Sequence, residues 1–213
     1  ETLPAFGSCN LASINLSEFV KNPFTDKAKF DYDEFKQMVR NGVIYLNEVL
    51  DENMELHPLP QQREVSRNLR QIGLGIMGLS DMLIKMGIKY GSKESLGIID
   101  DIGYIMINEA VRQSALLAKE YGTFPKYNKE SIFKSPFFKD NISLEVKELV
   151  MKYGLRNSQL LTIPPTGSIS TLIGCSSGIE PMFQVSYTRK SESLHSEDVY
   201  YRVFTPIVKE YMN

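Results

Sequence analysis

The stretch Thr162-Ile-Pro-Pro-Thr-Gly-Ser-Ile-Ser170, continued by Thr171-Leu-Ile-Gly-Cys-Ser-Ser-Gly-Ile-Glu-Pro181, decides how the rest of the sequence is read. A β-prone run, Gln159 to Ile163, stops at Pro164-Pro165, because neither proline has an N–H to extend a ladder. Thr166, Gly167, Ser168 and Ser170 come next, and the apolar Leu172 and Ile173 behind them mark a helix start. Such a junction is an anion cradle. The first N–H groups of a helix lack an intrahelical acceptor, the dipole favours negative charge, and Gly167 leaves the main chain approachable. Ser and Thr also cap helices for purely local reasons, so the residues alone leave a capped turn and an anion site both open.

Outward from this junction the pattern is mainly helical. Asp31-Tyr-Asp-Glu34 has the form of a capping box, and Phe35, Met38, Val39, Leu46, Val49 and Leu50 recur at helical spacing. These predict a helix over 32–51. His57-Pro58 to Pro60 breaks it, and Gln61 to Arg70 reads as a short polar helix. Ser92 caps a long amphipathic helix through Lys119, with Ile98, Ile102, Ile105, Met106, Ala110, Leu116 and Leu117 inward and Gly122 as its stop. Tyr127 to Asn141, dense in Lys, Phe and Pro, reads as a surface connection. Ser143 starts a further helix that Gly154 ends. Gln159 to Ile163 and Met182 to Arg189 have strand character, and Val203 to Tyr211 reads as a terminal helix. Strands separated by helices of this length predict an α/β fold, layered or barrel, with parallel strands. There is no internal repeat.

Composition narrows the function classes. The 213 residues are 42% hydrophobic and 23% charged, the balance of a globular protein. A net charge of −2 argues against a nucleic-acid partner, which calls for a basic face. No apolar run approaches the roughly 20 residues that span a bilayer. No signal peptide is visible, so a cytoplasmic location and no membrane partner are expected. The sequence begins without Met and inside a motif, and is read as a piece of a longer protein. Cys9 and Cys175, with His57 and His195, lie too far apart for a disulfide framework or a zinc site, and no metal is expected.

Gly73-Leu-Gly-Ile-Met-Gly78 matches the spacing of a dinucleotide-binding turn. That motif needs an apolar strand immediately before it, and Arg63 to Gln71 is polar. The glycines read better as close packing of a helix start against its neighbours. Cys9, in an uncharged stretch, has the ordinary reading of a small buried hydrophobe. Cys175 reads as structural. Glu180 is either a ligand-facing acid or a loop cap.

Pro165-Thr-Gly-Ser-Ile-Ser170 ahead of Ser177-Gly-Ile-Glu-Pro181 resembles the substrate-phosphate loop of ribonucleotide reductase large subunits. Glu1-Thr-Leu-Pro-Ala-Phe-Gly-Ser-Cys-Asn-Leu-Ala-Ser-Ile-Asn-Leu16 resembles the segment just after that family's radical cysteine. Asn68 to Leu79 and Leu155 to Ser158 fit as well, and the resemblance runs to about Arg189. It implies part of a single catalytic domain, a ten-stranded α/β barrel, whose N-terminal half and C-terminal tail lie outside these residues. The implied activity is reduction of ribonucleotides to 2′-deoxyribonucleotides by a thiyl-radical mechanism, supplying DNA replication.

The resemblance also assigns roles. Cys9 matches one member of the redox pair that reduces substrate and closes to a disulfide, then exchanges with a thioredoxin-like dithiol. Glu1 matches the carboxylate that takes a proton from the ribose 3′-hydroxyl, with the radical cysteine two residues before it. Pro165, Thr166, Gly167, Ser168, Ile169 and Ser170 match the phosphate site. The short Glu1-to-Cys9 interval, the Cys9-to-Leu16 wording and the Pro165-to-Ser170 loop are most similar to the adenosylcobalamin-dependent class, although some partner-subunit enzymes share the short interval. A homodimer of the whole protein is implied, with a diphosphate or triphosphate substrate. The rival is an α/β phosphate- or nucleotide-binding module without redox chemistry, which has no use for a reactive Cys9.

Overall fold

Helices start where local capping chemistry places them in this computed structural model, which describes residues 3–191 and 199–212. From the N-terminal side the chain forms β1 (Asn10–Asn15), a 3-10 turn (Leu16–Phe19), β2 (Val20–Lys21) and β3 (Lys29–Phe30). Then come α1 (Tyr32–Leu56), α2 (Pro60–Leu69), β4 (Ile72–Met77), α3 (Leu79–Lys85) and α4 (Lys93–Tyr121). The remainder is α5 (Lys129–Lys134), α6 (Pro136–Asn141), α7 (Leu144–Tyr153), α8 (Gly167–Ile173), β5 (Ser186–Ser191), β6 (Val199–Phe204) and α9 (Pro206–Met212). The content is α/β.

Asp31 accepts the Glu34 N–H at 3.0 Å and opens α1. That helix continues past the predicted Asp51 to Leu56 and ends at His57, whose extended ψ of 130° is what a residue before proline adopts. Ser92 Oγ accepts the Ser95 N–H at 3.1 Å ahead of α4, and Gly122, with φ of 81°, follows its end. Ser143 caps α7 through the Val146 N–H at 3.4 Å, and Gly154 closes it.

Four expectations need correction. Residues 127–141 are not a bare connection but the short helices α5 and α6. Asn128 caps the first through the Ser131 N–H at 2.9 Å, and Pro136 stands at the start of the second. Phe138, buried with Val111, Phe124, Val146 and Val150, is why this segment folds inward. The strand expected at Gln159–Ile163 is a single parallel bridge, Leu74 to Leu161, cut short by the prolines. Pairing is also not uniformly parallel, since β2–β3 and β5–β6 are antiparallel. Lastly, Val203 and Phe204 belong to β6, whose register sets Ser186 opposite Phe204. The strand thus starts at Ser186 rather than Met182, and the terminal helix at Pro206.

The chain packs as two compact units. The first comprises Glu1–Ile14, Asp31–Ile76 and Leu96–Pro164. Here α1 buries Phe35, Val39, Val43 and Leu46, and β4 is buried along its length. Asn157, 1% exposed, ties this unit together: its side-chain amide donates to Asn47 Oδ1 (2.9 Å) and to the Arg70 carbonyl (3.0 Å), and its Oδ1 accepts from Ser114 Oγ (3.0 Å). Arg70 in turn holds Asp51 through two N–H···O contacts of 2.5 and 2.9 Å. The second unit comprises Asn15–Phe30, Met77–Ser95 and Pro165–Asn213. Its interior includes Leu16, Phe19, Phe30, Leu79, Met82 and Leu83, with the Phe19 and Phe30 rings 5.8 Å apart. Among the described residues no helix is long and apolar enough to cross a membrane.

Candidate functional site

The loop from Pro165 to Ser170 lies in the second unit and is built around Thr166. Thr166 is the N-cap of α8 with φ of 55°, the left-handed region that a β-branched residue enters only at a cost on the order of 1–3 kcal/mol. Its hydroxyl does not cap α8. Instead Thr166 Oγ1 accepts the Gly178 N–H at 2.8 Å. Its carbonyl accepts the Ser170 N–H at 2.9 Å, as the first turn of a helix requires. Gly167, Ser168 and Ile169 are exposed, and their N–H groups occupy the helix positions that have no intrahelical acceptor. Gly167 has no atom within 4 Å of where a Cβ would stand, so the space before it is open. Ser170 is the buried member, 1% exposed, with Oγ 2.8 Å from Ser177 Oγ.

Residues 176–182, downstream of this loop, are fastened from α3. The Ser176 N–H donates to Asp81 Oδ2 at 2.8 Å, the Gly78 N–H donates to the Ser176 carbonyl at 2.8 Å, and Ser80 Oγ accepts the Met182 N–H at 2.9 Å. Asp81 is 6% exposed, and burial holds its carboxyl above the usual range despite the Ser176 N–H. Asp81, Ser170, Cys175, Ser176, Ser177 and Glu180 all border one cavity of about 310 Å³. Burial first, then the charge of Asp81, pushes the Cys175 thiol up to about 11, which fits the reading of Cys175 as structural.

Cys9 lies in the first unit, half-buried, immediately ahead of β1. A Cβ at Gly73 would stand 3.2 Å from Cys9 Sγ and 2.7 Å from Thr162 Cγ2, so glycine in β4 makes the room in which the thiol sits. Gly75 has the same cause, since a side chain there would be driven into the Thr162 carbonyl oxygen. This corrects the reading of Gly73 to Gly78 as a helix start. Gly73 and Gly75 are inside a buried strand, not in a turn after one, and only Gly78, with φ of 73°, caps a helix. A dinucleotide-binding turn needs its first glycines beyond the strand end, so that reading falls. Cys9 also borders a cavity of about 230 Å³ with Leu50, Asn53, Met54, His57, Arg63 and Ser66. Glu1 and His195 lie outside the described residues.

A family model described as ribonucleotide reductase, barrel domain, matches residues 2–212. The chain belongs to that family. It is 38% identical over 189 residues to the vitamin B12-dependent ribonucleoside-diphosphate reductase of Thermoplasma acidophilum, covering 89% of this chain and 22% of that one. It is 32% identical over 206 residues to a ribonucleoside-diphosphate reductase subunit alpha of Chlamydia pneumoniae, covering 87% and 19%. It is 31% identical over 194 residues to a vitamin B12-dependent reductase of Mycobacterium tuberculosis, covering 91% and 25%. This reductase-family chain therefore spans about a fifth to a quarter of the curated relatives it matches.

The sequence reading missed Asp81, Ser80 and Ser176. Each is an ordinary polar residue in its local context, and Asp81 and Ser176 meet across 95 positions, a separation at which one sequence carries no pairing signal.

Proposed function

We propose that this chain is part of the ten-stranded catalytic barrel of an adenosylcobalamin-dependent ribonucleotide reductase. The whole protein would act on a ribonucleoside diphosphate or triphosphate, in the cytoplasm and as a homodimer. The family match across residues 2–212 carries this reading. The reaction exchanges the 2′-hydroxyl of the ribose for hydrogen: two thiols give two hydrogens and two electrons, the hydroxyl leaves as water, and a disulfide remains. Cys9 is one of those thiols. Glu1 takes the 3′-hydroxyl proton, and residues 165–170 hold the phosphates through the N–H groups of Gly167, Ser168 and Ile169. A thioredoxin-like dithiol then restores the pair by exchange.

Adenosylcobalamin, when bound, supplies the radical chemistry. The relatives named vitamin B12-dependent support that cofactor for the full-length protein. Among the described residues no group of three His, Cys, Asp or Glu gathers as a metal site, and no residue of this chain is assigned to the corrin.

The test is alkylation of the full-length reductase after mixing with ribonucleotide in the absence of dithiol. Cys9 should become protected when substrate is present and regain reactivity after reduction. Equal alkylation with and without substrate would remove Cys9 from the redox pair.

A further inference from the structure

We infer that Asp81 is a positioning residue for the phosphate loop, acting through Ser176 and Gly178 on Thr166. This rests on the reading of residues 165–170 as the phosphate site. The starting point is the conformation of Thr166. A left-handed, β-branched residue at a helix N-cap persists only if its surroundings hold it there. Its own helix does not, since its hydroxyl makes no cap. What holds it is the N–H of Gly178, donated to Thr166 Oγ1 at 2.8 Å. Gly178 itself has φ of 42°, so the donor depends on a tight turn.

That turn is fixed two residues upstream. Ser176 uses its N–H on Asp81 Oδ2 and its carbonyl on the Gly78 N–H, both at 2.8 Å, while Ser176 Oγ accepts the Asp81 N–H at 3.4 Å. Ser177, between the two anchors, meets the buried Ser170 hydroxyl at 2.8 Å. Asp81 thus grips the segment at 176, Thr166 and Ser170 are gripped by it at 178 and 177, and the first turn of α8 hangs on the result. Asp81 is itself fixed in the first turn of α3, and Lys85 from the same helix pairs with Glu210 of α9 at 3.0 Å. Among the acceptors that α3 offers to this segment the Asp81 carboxylate is the strongest, because charge-assisted hydrogen bonds are roughly twice as strong as neutral ones. Asp81 touches no phosphate in this scheme. It decides whether the N–H groups that do are aimed together.

The experiment compares binding of a ribonucleotide with that of its nucleoside in the full-length reductase. Asp81→Ala should cut the nucleotide's advantage about tenfold, the effect of one lost charge-assisted hydrogen bond, with nucleoside affinity nearly constant. Asp81→Asn, which keeps an acceptor in place, should restore most of it. Thr166→Val should mimic Asp81→Ala, and Thr166→Ser should recover. In the double variant Asp81→Ala/Thr166→Val the losses should fall short of the product of the single losses, because both act through one chain of contacts. If the Asp81 variants do not fold, the Thr166 pair decides, and equal loss in Val and Ser would overturn the inference. Gly167→Val separates the two levels. An advantage lost in Gly167→Val but intact in Asp81→Ala sinks the positioning role and leaves the phosphate site standing. An advantage intact in both sinks both.

Discussion

Cys9 and Cys175 show how identical side chains acquire different chemistry from a few neighbours. Cys9 owes its room to Gly73, and the role proposed for it is redox. Cys175 is raised from an ordinary 9.0 to about 11 by burial and then by Asp81. A raised thiol favours the neutral form in the folded state. Its contribution to stability is present below pH 9 and is lost as pH rises toward 11. At pH 8 the folded protein should alkylate Cys175 about a hundredfold more slowly than the unfolded chain, as the difference in thiolate fraction requires. Mass spectrometry of the alkylated peptide in native and urea-unfolded protein measures this, and equal rates would contradict the environment described for Cys175. The stretch around Cys9 was legible as a motif, and the role proposed for Cys9 rests on it. The state of Cys175 was not, because Asp81, which shapes it, comes from a distant part of the sequence.

At the scale of elements, what was legible followed from local chemistry. The Asp31-to-Glu34 box, Ser92, Ser143, Gly122 and Gly154 marked α1, α4 and α7 because caps act within three or four residues. The strand β4 was not legible, since glycine is a poor strand former. Its glycines are explained only by what lies across from them. Two substitutions test that explanation. Gly75→Ala, facing the Thr162 carbonyl, should destabilise by about 3 kcal/mol. Gly103→Ala, in α4 with open space around it, should stabilise by roughly 0.5–1 kcal/mol through helix propensity. Urea unfolding of the full-length protein measures both. A neutral Gly75→Ala would mean that β4 does not approach residue 162 closely. The helices α5 and α6 were hidden for another reason: with six residues each, they are too short to show a period, and the inward turn of Phe138 defines them.

For the whole molecule, one family match spans both compact units. Cys9 belongs to the first unit and residues 165–170 to the second. The motifs singled out in the sequence have different fates. The Asn68-to-Leu79 and Leu155-to-Ser158 stretches contribute Arg70 and Asn157 to one buried polar network, a structural use that their wording did not announce. The loop at 165–170 leaves Gly167, Ser168 and Ile169 exposed at the start of α8. Fold class was readable from the alternation of elements. Strand direction was not, because pairing across β5–β6 and β2–β3 is fixed by long-range register rather than by the spacing of strands and helices.

The redox role of Cys9 is tested most directly by counting deoxyribonucleotides formed per full-length reductase in the presence of excess dithiol, for the wild type and for Cys9→Ser. The wild type should form many per active site. The variant should form no more than about one, since without the thiol the exchangeable disulfide cannot be made and remade. Sustained turnover by Cys9→Ser with the dithiol would contradict the assignment of Cys9 to the redox pair.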